Sequence, residues 1–244
     1  MEGIKKEHNL FGVSVLMPCL NEEKTVGACV EAAKQFLAEH NLPGEVLVAD
    51  NGSNDASAEV AKKSGAGVIF VPERGYGNAL RAGIQEAAYS FIVFADCDGS
   101  YNFLELKPFY DALVQGADVV IGNRFRGKIE RGAMPWMHHY FGNPVLSWLG
   151  RKIGGAPLGD FHCGMRGVRK EAMLSLKFCT SQMEFASEMI VKAAKAGLNL
   201  KEIPCNLYKD KRGRASHLRP IRDGIRHARF LLRFAWLKNK KKRG

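Results

Sequence analysis

The chain has 244 residues, 46% of them hydrophobic and 25% charged, which suits one large α/β domain with at most a short appendage and excludes a disordered polyelectrolyte. A formal net charge of +11, from 36 Lys and Arg against 25 Asp and Glu, points to an anionic partner: nucleic acid, a phosphorylated substrate or an anionic membrane surface. Six scattered cysteines without a C-x-x-C pair, a polar Met1–Asn9 and no run near the ~20 apolar residues that span a bilayer point to the reducing cytosol, not to a zinc module, a secreted chain or a spanning protein.

In chain order, Val13–Pro18 reads as a first strand and Thr25–His40 as a helix with Val26, Ala33 and Leu37 on one side. Glu45–Asp50 is a second strand, Ala56–Ser64 a short helix, Gly67–Val71 a third strand and Gly77–Ala88 a helix. Phe91–Asp96, Phe103–Gln115 and Asp118–Asn123 read as strand, helix and strand. This alternation predicts an α/β, Rossmann-like, mostly parallel sheet with helices on both faces. The stretch Arg124–Leu158 is rich in Gly, Pro and aromatics, with a helix expected at Trp136–Leu149. A strand near Cys163–Val168, a helix over Met183–Ala196, a strand at Lys201–Tyr208 and a helical pattern over Ile221–Leu237 follow. Composition shifts near His217, so residues 1–217 read as a catalytic domain and 218–244 as a basic amphipathic helix with a polybasic tail.

Ligands of open parallel sheets bind beyond the carboxyl ends of the strands. There the chain places Asn21 and Glu22 after strand one, Asp50 after strand two and Asp96-Cys97-Asp98-Gly99-Ser100 after strand four. Asp96 and Asp98 are two apart, so in an extended backbone both carboxylates point one way and can hold Mg²⁺ or Mn²⁺ with water and diphosphate oxygens. The competing reading is a solvated Asp-x-Asp-Gly turn. Gly75 and Gly77, before a helix, permit close backbone approach to an anion. No dinucleotide G-x-G-x-x-G follows strand one, and the chain has neither a P-loop nor a G-x-S-x-G elbow, which excludes those enzyme classes.

Taken together, Val13–Glu23, Ala49–Asp55 and the D-x-D at Asp96–Asp98 resemble the family-two inverting glycosyltransferases with the GT-A fold. Gly122–Phe125, Asp160–Gly167 and Glu184–Met189 look like the branch of dolichol- and polyprenyl-phosphate sugar transferases, and the likeness covers about residues 11–218. Two departures stand out: Leu20 replaces the family's usual Tyr or Phe, and the usual C-terminal spanning helices are missing. The resemblance implies that Asp50 contacts the nucleobase, that Pro18, Asn21 and Glu22 line the nucleotide pocket, and that Asp96, Asp98 and Ser100 attend the metal. A GDP-mannose or UDP-glucose type of donor and a polyprenyl phosphate acceptor follow from the same likeness.

In an inverting transfer, cations must stabilise the leaving diphosphate. A lipid phosphate, with a second pKa of about 6, is already a nucleophilic anion at pH 7. Candidate cations are Arg124, Arg126, Arg131, Arg166, Lys209, Lys211 and Arg212. A hydroxyl acceptor would instead need a carboxylate base, for which Asp160 is the candidate; otherwise Asp160 orients Arg166 or binds the donor sugar. Glu184, Glu188, His138, His139 and His162 read more simply as structural residues. Trp136, Phe141, Leu146 and Trp148 are expected to pack internally or to face lipid. Two rivals stand beside the lipid-phosphate reading. One is transfer to a polysaccharide or soluble acceptor. The other is a basic nucleic-acid-binding protein, which lacks any aromatic-basic or helix-turn-helix cue. The expected location is peripheral, at the cytoplasmic face of a membrane. There the Ile221–Leu237 helix would lie in the headgroup region through Ile221, Ile225, Ala228 and Leu232, beside a stripe of Arg222, Arg226, Arg229 and Arg233.

Overall fold

A computed structural model describes residues 11–213 and 220–240, and only the backbone at 138, 220, 221 and 237–240; the expected boundary at 217/218 and the end of the basic tail lie outside the described residues. The strands are β1 (Val13–Cys19), β2 (Gly44–Asp50), β3 (Gly67–Phe70), β4 (Phe91–Phe94), β5 (Val119–Asn123), β6 (Arg166–Arg169) and β7 (Leu200–Pro204). The helices are α1 (Val26–Glu39), α2 (Ser57–Lys63), α3 (Tyr76–Glu86), α4 (Lys107–Val114), α5 (Asn143–Gly154), α6 (Lys170–Ser175), α7 (Phe185–Lys195) and α8 (Pro220–Lys240). They surround one seven-stranded sheet of order β3-β2-β1-β4-β6-β5-β7.

The inner strands β1, β4 and β5 are buried along nearly their whole length, because helices cover both faces. Parallel pairing sets Cys19 beside Asp50 and Leu16 beside Phe94, so the ends of β1, β2 and β4 open on one edge. The chain leaving β4 stays close: Cys97 Sγ donates to Pro18 O at 3.4 Å. That register carries Asp96 and Asp98 to the mouth of the sheet.

Three sequence expectations change. The strand expected at Cys163–Val168 is β6, and it runs antiparallel to both β4 and β5. After β5 no crossover helix returns the chain to the far edge, so it re-enters the sheet from the edge it left. The helix expected at Phe103–Gln115 breaks into a 3-10 turn, Phe103–Glu105, and α4, where Pro108 sits in the first turn, the one place its missing N–H costs nothing. The helix expected at Trp136–Leu149 begins as a π-helical turn, His138–Gly142, and continues as α5. The short α6 was not expected at all.

α8 packs on α5 and α7. Its buried seam is Asp223, His227 and Leu231, spaced by four, while Ile225, Leu232 and Trp236 face outward. The expectation that Trp136, Phe141 and Trp148 pack internally is corrected: they are 63%, 57% and 53% exposed, and α5 turns Ser147 and Gly150 inward instead. Gly150 is required there, because a Cβ would lie 2.4 Å from the Phe161 ring.

Candidate active site

A cleft of about 430 Å³ opens at the carboxyl ends of β1, β2 and β4. Pro18, Glu22, Gly75, Asp96 and Asp98 line it, together with Leu20, Asn51, Arg74, Tyr76, Gln182 and Met183. Asp98 is buried: one of its oxygens accepts from Ser100 N at 2.8 Å and the other pairs with Arg212 Nη2. Arg212 Nη1 also reaches Glu22 at 3.4 Å. Arg212, expected among the acceptor cations, thus lies in this cleft with its guanidinium on two carboxylates. Burial raises the Asp96 pKa above the usual carboxylate range, against the lowering pull of Arg212 and Arg124. Gly164 leaves room for Asp96, as a Cβ there would lie 2.7 Å from its Oδ2.

Among the described residues no three His, Cys, Asp or Glu converge to hold a metal unaided. The chemistry at the mouth still fits a hard divalent cation: the carboxylates of Asp96 and Asp98 both line the cleft, and water and diphosphate oxygens would complete the shell. Ser100 does not line the cleft; its backbone N–H orients Asp98 and its carbonyl accepts from Tyr208 N at 2.9 Å.

The loops after β2 and β3 are tied together by Asn51, which the sequence reading passed over. Its Oδ1 accepts from Gly75 N at 2.6 Å, and its Nδ2 donates to Val71 O and Glu73 O at 3.1 and 2.9 Å. Gly75 has φ +143°, and a Cβ would come 2.1 Å from Ser181 O, so only glycine fits this close crossing. Gly77 is a packing glycine, pressed against Phe185 rather than lining the cleft. Asp50 is buried behind the cleft and accepts from Ser53 N at 3.3 Å. Asn21 has a positive φ of 57° and bonds the same loop, donating from N to Ser53 Oγ at 2.8 Å and accepting from Asn54 N at 2.7 Å.

Two of the candidate catalytic residues form a sealed pair. Arg124 Nε and Nη2 donate to the two Asp160 oxygens at 2.6 and 2.8 Å, and Asp160 is fully buried. Asp160 also accepts from Arg124 N at 3.3 Å and His162 N at 3.0 Å. With both oxygens committed, Asp160 has no lone pair aimed at the cleft, and it orients Arg124 rather than Arg166. Burial by itself would lower the Arg124 pKa; the charge and hydrogen bonds of Asp160, with Tyr101 and Cys163 nearby, together raise it, and the net shift is upward.

Arg166 is buried and donates to the carbonyls of Cys163, Ala186 and Phe161 at 2.9, 2.8 and 2.9 Å. It fastens β6 to α7 and is not available to an acceptor. Arg126, Arg131 and Lys209 are exposed and line neither cavity. Lys211 faces a second cavity with Lys24, Glu130 and Tyr208.

α8 completes the cleft with Arg222, Asp223 and Arg226. It is anchored by His227, whose Nδ1 lies 2.8 Å from Ser187 Oγ, and Ser187 Oγ is 3.3 Å from His162 Nε2. Arg222 and Arg226 were expected only as part of the basic stripe, and Asp223 and His227 were not singled out. The signal that could have found them is the lone acid and histidine, Asp223 and His227, four apart in a run otherwise basic and apolar.

Residues 14–176 match the Glycosyl transferase family 2 domain. A "Low-salt glycan biosynthesis hexosyltransferase Agl6" of Haloferax volcanii is 38% identical over 221 residues, which cover 90% of this chain; the chain spans about half, 53%, of that relative. A "Dolichyl-phosphate hexose transferase" of the same organism is 31% identical over 209 residues, covering 85% of this chain and 87% of that protein. Among solved structures, glucosyl-3-phosphoglycerate synthase from Mycobacterium tuberculosis, crystallised with Mn²⁺, uridine-diphosphate-glucose and phosphoglyceric acid, superimposes with a TM-score of 0.72. It is 22% identical and aligns over 92% of this chain and 79% of its own. The chain belongs to glycosyl transferase family 2 and is a glycosyltransferase of the GT-A fold.

Proposed function

We propose that this glycosyltransferase moves a hexose from a nucleotide sugar, with Mg²⁺ or Mn²⁺, to a polyprenyl or dolichyl phosphate at the cytoplasmic face of a membrane. The observation that carries the acceptor and the location is the double role of α8. Its first turns line the donor cleft, while Ile225, Leu232 and Trp236 on its outer face are exposed beside basic Arg222, Arg229 and Arg233. α5, packed on α8, exposes Val145 and Trp148, and the turn before it exposes Trp136, Tyr140 and Phe141. Aromatic and basic chains together suit a headgroup region. Among the described residues no helix is long and apolar enough to cross a membrane. Relatives support the acceptor class: besides the dolichyl-phosphate enzyme, an "Undecaprenyl-phosphate 4-deoxy-4-formamido-L-arabinose transferase" of Pectobacterium carotovorum is 23% identical over 184 residues, 72% of this chain and 54% of that protein.

In this reading Pro18, Asn21, Glu22, Asp50 and Gly75 shape the nucleotide pocket, Asp50 by holding its loop. Asp96 and Asp98 would hold the divalent ion, which supplies charge for the leaving diphosphate. The acceptor phosphate is its own nucleophile, so the commitment of both Asp160 oxygens to Arg124 is no obstacle. Arg74, Arg222 and Arg226, all lining the cleft, pair with phosphate oxygens of donor or acceptor. A soluble phosphorylated acceptor is the second reading; it rests on the phosphoglyceric acid in the solved relative.

The test is a screen of nucleotide sugars for diphosphate release with Mn²⁺ or Mg²⁺, with polyprenyl phosphate in vesicles, with phosphoglyceric acid, or with neither. Polyprenyl phosphate should give the largest stimulation, and Asp98→Asn should lose most turnover while staying folded. Better turnover with a neutral alcohol or sugar acceptor refutes the lipid-phosphate assignment. Near-normal turnover of Asp98→Asn in chelator refutes the metal.

A further inference from the structure

Arg212 pairs with Asp98, one of the two carboxylates that would hold a divalent ion in the reading above. The segment before it is bonded to the Asp98–Ser100 turn: Tyr208 N donates to Ser100 O and Lys211 N to Asp98 O, both at 2.9 Å. Lys209 N adds a bond to Glu130 Oε2 at 2.8 Å. Gly213 follows with a positive φ of 68°. The guanidinium is thereby led inward, where it bridges Asp98 and Glu22 with only 10% of its side chain exposed. Among the described residues its Nε–H has no hydrogen-bond partner, and the Asp210 carboxylate stands 3.6 Å away. The guanidinium is thus poorly satisfied for a buried charge, and held by carboxylates rather than by a complete shell of acceptors.

Of the two Asp98 oxygens, one already accepts from Ser100 N, which weakens it as a metal ligand, and the other is held by Arg212. Two cations on one carboxylate oxygen repel, so one must leave. A diphosphate arriving with the ion offers a planar guanidinium two or more oxygens in a matching fork.

We propose that Arg212 is a built-in counter-cation. It neutralises Asp98 and Glu22 in the donor-free enzyme and moves onto the donor's diphosphate when the divalent ion takes Asp98. Metal alone must expel the guanidinium without giving it a new partner, whereas metal with diphosphate supplies one. Metal and nucleotide therefore bind with positive coupling, and the acidic cleft is never left bare. This rests on the metal-dependent donor reading above.

The test is Mn²⁺ titration by calorimetry on the full chain, without nucleotide and then with UDP or GDP. Arg212→Gln should bind Mn²⁺ alone about tenfold more tightly than wild type, as expected if the displaced arrangement is about a tenth populated. Its Mn²⁺ affinity should gain less from nucleotide, and at saturating Mn²⁺ it should hold UDP and GDP more weakly. Arg212→Lys, which keeps a charge but cannot span both carboxylates, should fall between, and it serves if the glutamine variant fails to fold. Thermal melts give a second reading: Mn²⁺ should raise the Tm of Arg212→Gln more than that of wild type. Unchanged or weaker Mn²⁺ affinity in both variants overturns the proposal. If Asp98→Asn abolishes Mn²⁺ binding in that case, the metal reading survives alone. If wild type binds no Mn²⁺ even with either nucleotide, both fail together.

Discussion

Asp160→Asn tests whether the Arg124–Asp160 pair is scaffold or chemistry. The substitution leaves the Arg124 guanidinium, 11% exposed, facing an amide where a fully buried carboxylate stood. It also removes the negative acceptor from Arg124 Nε and Nη2, now bonded at 2.6 and 2.8 Å, and from His162 N at 3.0 Å. Breaking one side of a buried, hydrogen-bonded pair costs about 3–5 kcal/mol. At roughly 2–4 °C per kcal/mol for a chain of this size, the melting temperature should fall by about 6–20 °C. Differential scanning calorimetry measures the fall, and a double-mutant cycle with Arg124→Met isolates the pair. The double variant, with no orphaned charge, should recover at least about 2 kcal/mol relative to the sum of the single changes. The reasoning fails if Asp160→Asn melts within about 1 kcal/mol of wild type while losing its turnover, which is what a base at the cleft would give.

Further outcomes are expected elsewhere. Burial first, then the charge of Arg166, lowers the His227 pKa from 6.5 to about 4. A folded value below the unfolded one means stability is complete above about pH 6.5 and is lost as pH falls toward 4, by about 3 kcal/mol in all. Urea unfolding at pH 7.5 and 4.5 should show this loss, and His227→Gln should flatten it. Trp136→Ser with Trp148→Ser should weaken sedimentation with anionic vesicles by about tenfold or more, given ~1.5–3 kcal/mol for burying a large apolar side chain; unchanged binding would count against the lipid-facing surface. Gly75→Ala should destabilise by at least about 1 kcal/mol and weaken nucleotide binding, because its Cβ would meet Ser181 O at 2.1 Å; a variant with wild-type melting and nucleotide affinity would show that the loop crossing relaxes freely.

How much of the site was legible in the sequence depended on what set each position. Asp96 and Asp98 were readable because their place follows from a short local rule: carboxylates just past a buried strand emerge at the edge where parallel strands end. The cations were not readable in this way. Arg126, Arg166 and Arg212 are alike in sequence, yet one is exposed, one is fastened to three carbonyls and one lies across two carboxylates. A long side chain reaches several ångströms from its backbone, so its role depends on which distant groups converge on its tip. Those groups come from the loop before β6, from α7 and from the segments that follow β1 and β4.

By itself the sequence determined the alternating strands and helices, the absence of other nucleotide-binding fingerprints, the carboxylates at the strand ends and the amphipathic character of α8. Each follows from periodicity or from residues within a few positions of one another. Only the tertiary structure decided that β6 runs antiparallel, that Asp160 is sealed against Arg124, and that α8 turns Asp223 and His227 inward while its apolar stripe stays outside. Periodicity shows that a helix has two faces. Which face is covered is set by what stands opposite, and here Ser187 offers α8 a polar partner for His227 that an apolar stripe would have left unsatisfied.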